Sequence, residues 1–229
     1  MKIYILRHGE TEWNKLKRLQ GRSDIPLDDK GEALARMTGE GMRRAGLFFD
    51  ACVSSPLDRA RRTAELVLGV EPAGAASGHA QKHWEGMRQA VPIALDERIA
   101  EVDLGPWEGH CMIDDPRFPK ADPEAFVFFR SPELARVPEG AETYSEVIER
   151  TGAFLRDIAK QYQNDEGKPF NLLVSTHGCA SRALLMNIDP VPLRDFWREK
   201  VPQNCSVSIA ELQDGMWKLL DIDLTYAEL

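Results

Sequence analysis

Three short apolar runs, each closed by a polar tip and followed by a helix-like segment, set the plan of the chain. Ile3 to Leu6 is the first; it ends at Arg7-His8-Gly9 and predicts a buried strand with a polar end. Residues 15–30 are polar, contain Pro26 and Asp28-Asp29, and predict a loop in which Asp28 or Asp29 caps a helix running from near Gly31 to about Arg44. Ala51 to Val53 begins the second unit, where Ser54 or Ser55 ahead of Pro56 suits an N-cap followed by a first-turn proline. A helix is predicted from about Tyr144 to Gln163. Phe170 to Val174 is the third strand, ending at Ser-Thr-His-Gly (175–178) and feeding a helix from about Cys179. Two alternating runs joined by Asp214-Gly215 close the chain, a dipeptide that predicts a hairpin.

Residues 69–92, rich in Gly, Ala and Pro, and residues 110–140, rich in prolines and aromatics, interrupt this plan and predict long excursions. No repeat of fixed period is present. Recurrent strand–loop–helix units predict an open α/β sheet, in which ligands bind just outside the carboxyl ends of the strands. His8 and His177 both stand at such ends and are expected to converge.

Composition narrows the possibilities. With 229 residues the chain suits one large domain, 1–229. Its 29 basic and 37 acidic residues give a net charge of −8, which disfavours nucleic acid and anionic membranes as partners. An anionic substrate would therefore need its cations gathered in one pocket. Cys52, Cys111, Cys179 and Cys205 are widely spaced and predict reduced thiols, not a disulfide frame or zinc site. The apolar run at the N-terminus is too short for a signal peptide, and no stretch approaches a membrane span, so a cytoplasmic protein is expected.

Residues 6–14, LRHGETEWN, resemble the signature of the histidine phosphatase superfamily, the group that contains the phosphoglycerate mutases: Arg-His-Gly-x-Thr-x-x-Asn, here Arg7, His8, Gly9, Thr11 and Asn14. The resemblance continues in family order through SSPLDRARRTA (54–64), IAEVDLGPWEG (99–109), VPEGAE (137–142) and LLVSTHG (172–178). It implies a three-layer α/β/α sandwich with a mostly parallel central sheet, phosphoglycerate mutase-like, carrying the two excursions as a lid. It also implies hydrolysis of phosphomonoesters through a phosphohistidine, with His8 as nucleophile and His177 as donor to the transferring group. Glu101 matches the family's general acid, in a segment that looks like the phosphatase branch rather than the mutase branch. Arg7, Asn14 and Arg59 match its phosphate-binding positions, and Gln20, Gly21 and Gly178 join them as candidate substrate contacts. No metal or cofactor is implied. The expected partner is a small phosphorylated substrate, and the assembly a monomer or homodimer.

Elementary chemistry supports these residue types independently. A phosphomonoester dianion needs positive donors fixed in advance, and the planar arginine fork matches phosphate oxygens two at a time. Glycine after His8 is expected to let backbone approach the ligand. A nucleophilic histidine must be uncharged, and neighbouring arginines and a second histidine push its pKa down. The acid must hold a proton near neutral pH, which Val102, Leu104, Pro106 and Trp107 would favour by excluding water.

Other features have plainer readings. His79 and His83, four residues apart, predict an exposed pair rather than metal ligands. Lys15, Lys17, Arg18 and Arg22 form either an ordinary wet loop or a rim that draws anions. Asp103, Glu97, Glu108 and Glu85 are rivals to Glu101. Arg61 and Arg62, rivals to Arg59, suit solvated helix charges. Trp107 is the tryptophan most suited to a pocket wall. Two other functions compete: phosphoglycerate mutase-type transfer to a sugar acid, and a catalytically silent module that binds a phospho-ligand.

Overall fold

A computed structural model describes residues 1–70, 91–162 and 169–227. In chain order its elements are β1 (Lys2–Arg7), α1 (Glu12–Lys15), α2 (Asp29–Arg44), β2 (Ala51–Ser54), α3 (Asp58–Leu68), β3 (Ile93–Leu95), α4 (Pro123–Arg130), α5 (Tyr144–Tyr162), β4 (Asn171–Thr176), α6 (Gly178–Ile188), β5 (Val207–Gln213) and β6 (Met216–Leu224). The strands form one sheet in the order β3-β2-β4-β1-β5-β6. Strands β3, β2, β4 and β1 run parallel to their neighbours, and β5 and β6 complete the sheet antiparallel.

Alternation along the strands separates two apolar layers, because successive side chains leave a strand on opposite faces. Tyr4, Leu6, Cys52 and Leu173 point to one face, against Ala35 and Met42 of α2 and Ala64 and Val67 of α3. Ile3, Ile5, Val53, Leu172 and Val174 point to the other, against Phe154 and Ile158 of α5 and Leu184 and Leu185 of α6. Both faces of the sheet are thus covered, giving the α/β/α sandwich. The two-residue turn at Asp214 and Gly215 has positive φ at both positions (50° and 78°), as the tight hairpin requires.

Asp28 is the N-cap of α2, its carboxylate accepting from Gly31 N at 2.7 Å. The serines ahead of α3 are not its cap. Leu57 takes that place without a side-chain bond; Ser54 and Ser55 are fully buried, the Ser54 hydroxyl donating to Ser55 O and the Ser55 hydroxyl lying against His177 while accepting from Leu57 N. Residues 110–140 form a long, partly ordered excursion, as their composition predicts. They carry α4 and build a third apolar cluster beyond the strand ends, with Leu104, Trp107, Phe128, Tyr144, Phe196 and Trp197. Trp107 belongs to this core: its indole N–H donates to Asp122 at 2.7 Å and its ring meets Phe128 edge-on. The expected excursion at 69–92 falls almost wholly outside the described residues, as do His79, His83 and Glu85. All four cysteines are buried and free. No helix among the described residues is long and apolar enough to cross a membrane.

Candidate active site

The register of two parallel strands assembles the site. Arg7 at the end of β1 lies opposite Thr176 at the end of β4, and His8 N continues the ladder to Thr176 O at 2.9 Å. The residue after each strand is a histidine, and the His8 and His177 rings stand 5.2 Å apart between centroids. Both are buried. His8 Nδ1 lies 2.7 Å from Gly9 O. A carbonyl can only accept, so Nδ1 carries the proton and Nε2 keeps its lone pair. Burial, then the charges of Arg59 and Arg7, hold the His8 pKa well below its ordinary value, against a small opposing pull from the Gly9 carbonyl. His177 is lowered likewise, by burial first and then by Arg59 and His8.

The signature residues after His8 serve local geometry. Thr11 is the N-cap of the one-turn helix α1, accepting from Asn14 N at 3.2 Å, and so sets the position of Asn14. Asn204, which no motif singles out, donates to the carbonyls of His8 and Gly9 at 3.0 Å and to Asn14 Oδ1 at 3.2 Å. With its oxygen taken, Asn14 has its amide N–H groups to offer. Gly9 meets packing rather than ligand: a Cβ there would stand 2.7 Å from Gly31 O.

The two arginines are held differently. Arg59 is fully buried, donating from Nη1 to Ser23 O at 2.8 Å and from Nη2 to Gly21 O at 2.7 Å. Gln20, with its amide nitrogen donating to Thr11 Oγ1 at 2.7 Å, accepts from Arg59 Nε at 3.0 Å and Nη1 at 3.1 Å. Gln20 and Gly21 therefore grip Arg59, and one Nη2 hydrogen is left without an acceptor among the described residues. Burial lowers the Arg59 pKa to about 10, still charged at neutral pH. Arg7 donates from Nη1 to Pro202 O, while its buried Nε has no partner among the described residues. Arg61 and Arg62 pair with helix carboxylates, Asp58, Glu65 and Glu32.

Glu101 is buried beside this group. Its Oε1 accepts from Val102 N at 2.9 Å and Ala180 N at 3.1 Å, and Oε2 from Cys179 N at 3.2 Å. Two of these donors are first-turn amides of α6. Of the apolar neighbours, Val102, Leu104 and Trp107 are buried as expected while Pro106 is exposed, and backbone donors, which apolar patterning does not reveal, dominate the contacts of the carboxylate. A Cβ on Gly178 would stand 3.6 Å from Glu101 Oε2 and 3.8 Å from Arg7 Nε, so acid, arginine and the start of α6 meet at one point.

Further residues brace the site. Arg150 of α5 donates to the carbonyls of Arg98, Ala100 and Glu101 at 2.8, 2.7 and 3.1 Å and pairs with Glu142, which accepts from Asp103 N at 2.8 Å. Glu108 accepts from Arg22 N at 2.6 Å and Ser23 N at 2.7 Å, fixing the loop whose carbonyls hold Arg59. Glu97 pairs with Arg22 and is exposed, and Asp103 accepts from Gly105 N. The basic loop is mostly engaged: Lys15 with Glu12, Arg22 with Glu97 and Glu142, and Arg18 between the rings of Trp13 and Phe118 at 4.2 and 4.3 Å. Among the described residues no group of three or more His, Cys, Asp or Glu is placed to hold a metal.

Comparison with known proteins identifies the family and the fold. The profile of the histidine phosphatase superfamily (branch 1) matches residues 3–225. "Probable phosphoglycerate mutase GpmB" of Citrobacter koseri is 32% identical over 219 residues, covering 95% of this chain and 87% of the relative. A solved structure of YhfR from Bacillus stearothermophilus superposes with a TM-score of 0.76 at 28% identity, covering 99% and 98% of the two chains. A phosphoserine phosphatase mutant from Entamoeba histolytica, solved with phosphoserine, shares the fold at 21% identity (TM-score 0.74, 100% and 99% covered). The chain belongs to branch 1 of the histidine phosphatase superfamily.

Proposed function

We propose that the protein hydrolyses a small phosphomonoester through a phosphohistidine on His8. The observation that carries this reading is the Nδ1–Gly9 O contact, which leaves Nε2 of an uncharged, buried imidazole as nucleophile beside two arginines. In the first step Nε2 bonds to phosphorus as the ester P–O bond breaks, and Glu101, arriving protonated, gives its proton to the departing oxygen. In the second, Glu101 takes a proton from water as that water attacks phosphorus; the P–N bond breaks and phosphate leaves. Arg7, Arg59, Asn14 and His177 supply donors to the equatorial oxygens. For Glu101 to act, at least one backbone amide must exchange its acceptor, and a phosphate reaching the start of α6 offers one. The excursion at 110–140 suits a rim for the leaving group.

Mutase chemistry is the second reading, favoured by the name of the relatives at 32% identity. Against it, Arg18 and Arg22 are already engaged with aromatic rings, backbone and carboxylates, where a sugar-acid carboxylate would need an unpaired cation. His8→Ala is expected to abolish hydrolysis of an aryl phosphate and trapping of labelled phosphate on the protein; retained turnover would remove the assignment. Interconversion of 3- and 2-phosphoglycerate without phosphate release would select the mutase, and saturable phospho-ligand binding without turnover the silent module.

A further inference from the structure

Ser55 is fully buried at the end of β2, and its hydroxyl lies 2.7 Å from Nε2 of His177. Its backbone N donates to Ser175 O at 2.9 Å, so the β2–β4 ladder that carries β4 toward His177 also sets Ser55 beside the ring. The hydroxyl oxygen also accepts from Leu57 N at 3.3 Å. No other acceptor reaches it among the described residues. A buried hydroxyl hydrogen needs an acceptor, and here the available one is His177 Nε2.

A neutral imidazole has one donor and one acceptor. Burial and the charges of Arg59, His8, Arg7 and Arg150 keep His177 neutral. If Nε2 accepts from Ser55, the ring proton must sit on Nδ1. That nitrogen is buried and has no partner among the described residues, and the ring it belongs to faces His8 at 5.2 Å. An unpaired buried N–H beside a nucleophile is a donor lacking its ligand. We propose that Ser55 is a positioning residue: it fixes His177 as the Nδ1–H tautomer, so that Nδ1 donates to the transferring phosphoryl group. This rests on the phosphohistidine reading for what Nδ1 meets, though not for the tautomer itself.

The test is ¹⁵N NMR of histidine-labelled protein without substrate, with His177 assigned by loss of its signals in His177→Gln. The native protein is expected to show the Nδ1–H form of His177, and Ser55→Ala to shift it toward the Nε2–H form. In turnover, Ser55→Ala should lower kcat about a hundredfold with KM changed less than about threefold, and Ser55→Thr, which keeps the hydroxyl, should recover most of the loss. An Nε2–H tautomer in the native protein overturns the proposal, as does a tautomer indifferent to Ser55→Ala. If Ser55→Ala does not fold, the native spectrum and Ser55→Thr decide. A Ser55-dependent Nδ1–H tautomer in a protein that transfers no phosphoryl group would refute the phosphohistidine reading while leaving the tautomer assignment standing.

Discussion

A Cβ built on Gly9 falls 2.7 Å from the carbonyl oxygen of Gly31, where α2 begins, and 3.1 Å from its carbonyl carbon. Both are backbone atoms and cannot swing aside. On Gly178 the same atom meets nothing closer than 3.6 Å, and its neighbours there are Glu101 Oε2, Val201 and Arg7 Nε. Each glycine follows a pocket histidine, yet one is demanded by the seam between β1 and α2 and the other by open space between acid and arginine. Their alanine variants should separate accordingly. Gly9→Ala is expected to cost about 1–3 kcal/mol in urea unfolding, because the strand end must move off α2. Gly178→Ala sits in the first turn of α6, where alanine is the better helix former. It should leave stability within about 1 kcal/mol while kcat/KM for an aryl phosphate falls at least about tenfold. Loss of stability with intact activity in Gly178→Ala would show that the space between Arg7 and Glu101 is not where substrate sits.

At the scale of elements, the segment carrying Glu101 has little regular structure of its own and is held from α5. Arg150 spans three carbonyls of residues 98–101 and reaches Glu142, which in turn holds Asp103 N. The run VPEGAE was recognisable by resemblance, but its physical purpose was not: Glu142 is the counter-ion of a clamp whose other half looks, in one dimension, like any solvated helix arginine. Ser55 is misleading for a related reason: a serine before a proline reads as a helix cap, whereas this hydroxyl meets His177 at the end of the neighbouring strand β4. The three-residue β3 is not legible in the sequence, because Ile93–Leu95 is too short to show a period and two of its residues are exposed. The long strands and α5 were plain because their periodicity faces a core. Arg150→Met should destabilise the protein by about 3 kcal/mol, the cost of stranding Glu142 and the freed carbonyls. It should also lower kcat more than it raises KM, as Glu101 loses its placement. Arg150→Lys should recover only part of each, because one ammonium cannot serve carbonyls and carboxylate together. Chemical denaturation and steady-state kinetics on the same samples check both; an Arg150→Lys protein equal to the parent would show that charge alone matters there.

Over the whole molecule, the sandwich buries two histidines at the carboxyl ends of its central strands in a protein whose net charge is −8. The convergence of His8 and His177 was legible, because two strand ends in one parallel sheet carry their next residues to the same level. The depth of burial was not legible, and burial, ahead of the arginines, is the main reason both imidazoles resist protonation. That has a consequence for stability. Each folded-state pKa lies below the value in the unfolded chain, about 6.5, so as pH falls below that value the unfolded state takes up protons that the native state refuses. Stability from these two groups is full above about pH 6.5, declines as pH falls toward the folded pKa values, and stops declining only once the native histidines ionise. Each contributes a slope of about 1.4 kcal/mol per pH unit within that window. Carboxylates such as Glu142 and Asp96, whose pKa values are lowered by Arg150 and Arg98 against the opposing effect of burial, add their own losses at lower pH, so the parent alone does not isolate the histidines. His8→Asn does, because it removes one titrating ring and leaves the carboxylates in place. Urea unfolding between pH 7 and pH 5 is expected to give a shallower decline for His8→Asn, by about 1.4 kcal/mol per pH unit at the acid end. Parallel curves for the two proteins would mean that His8 ionises in the native site as freely as in the unfolded chain, and an imidazole that does so is no nucleophile at neutral pH by virtue of its burial.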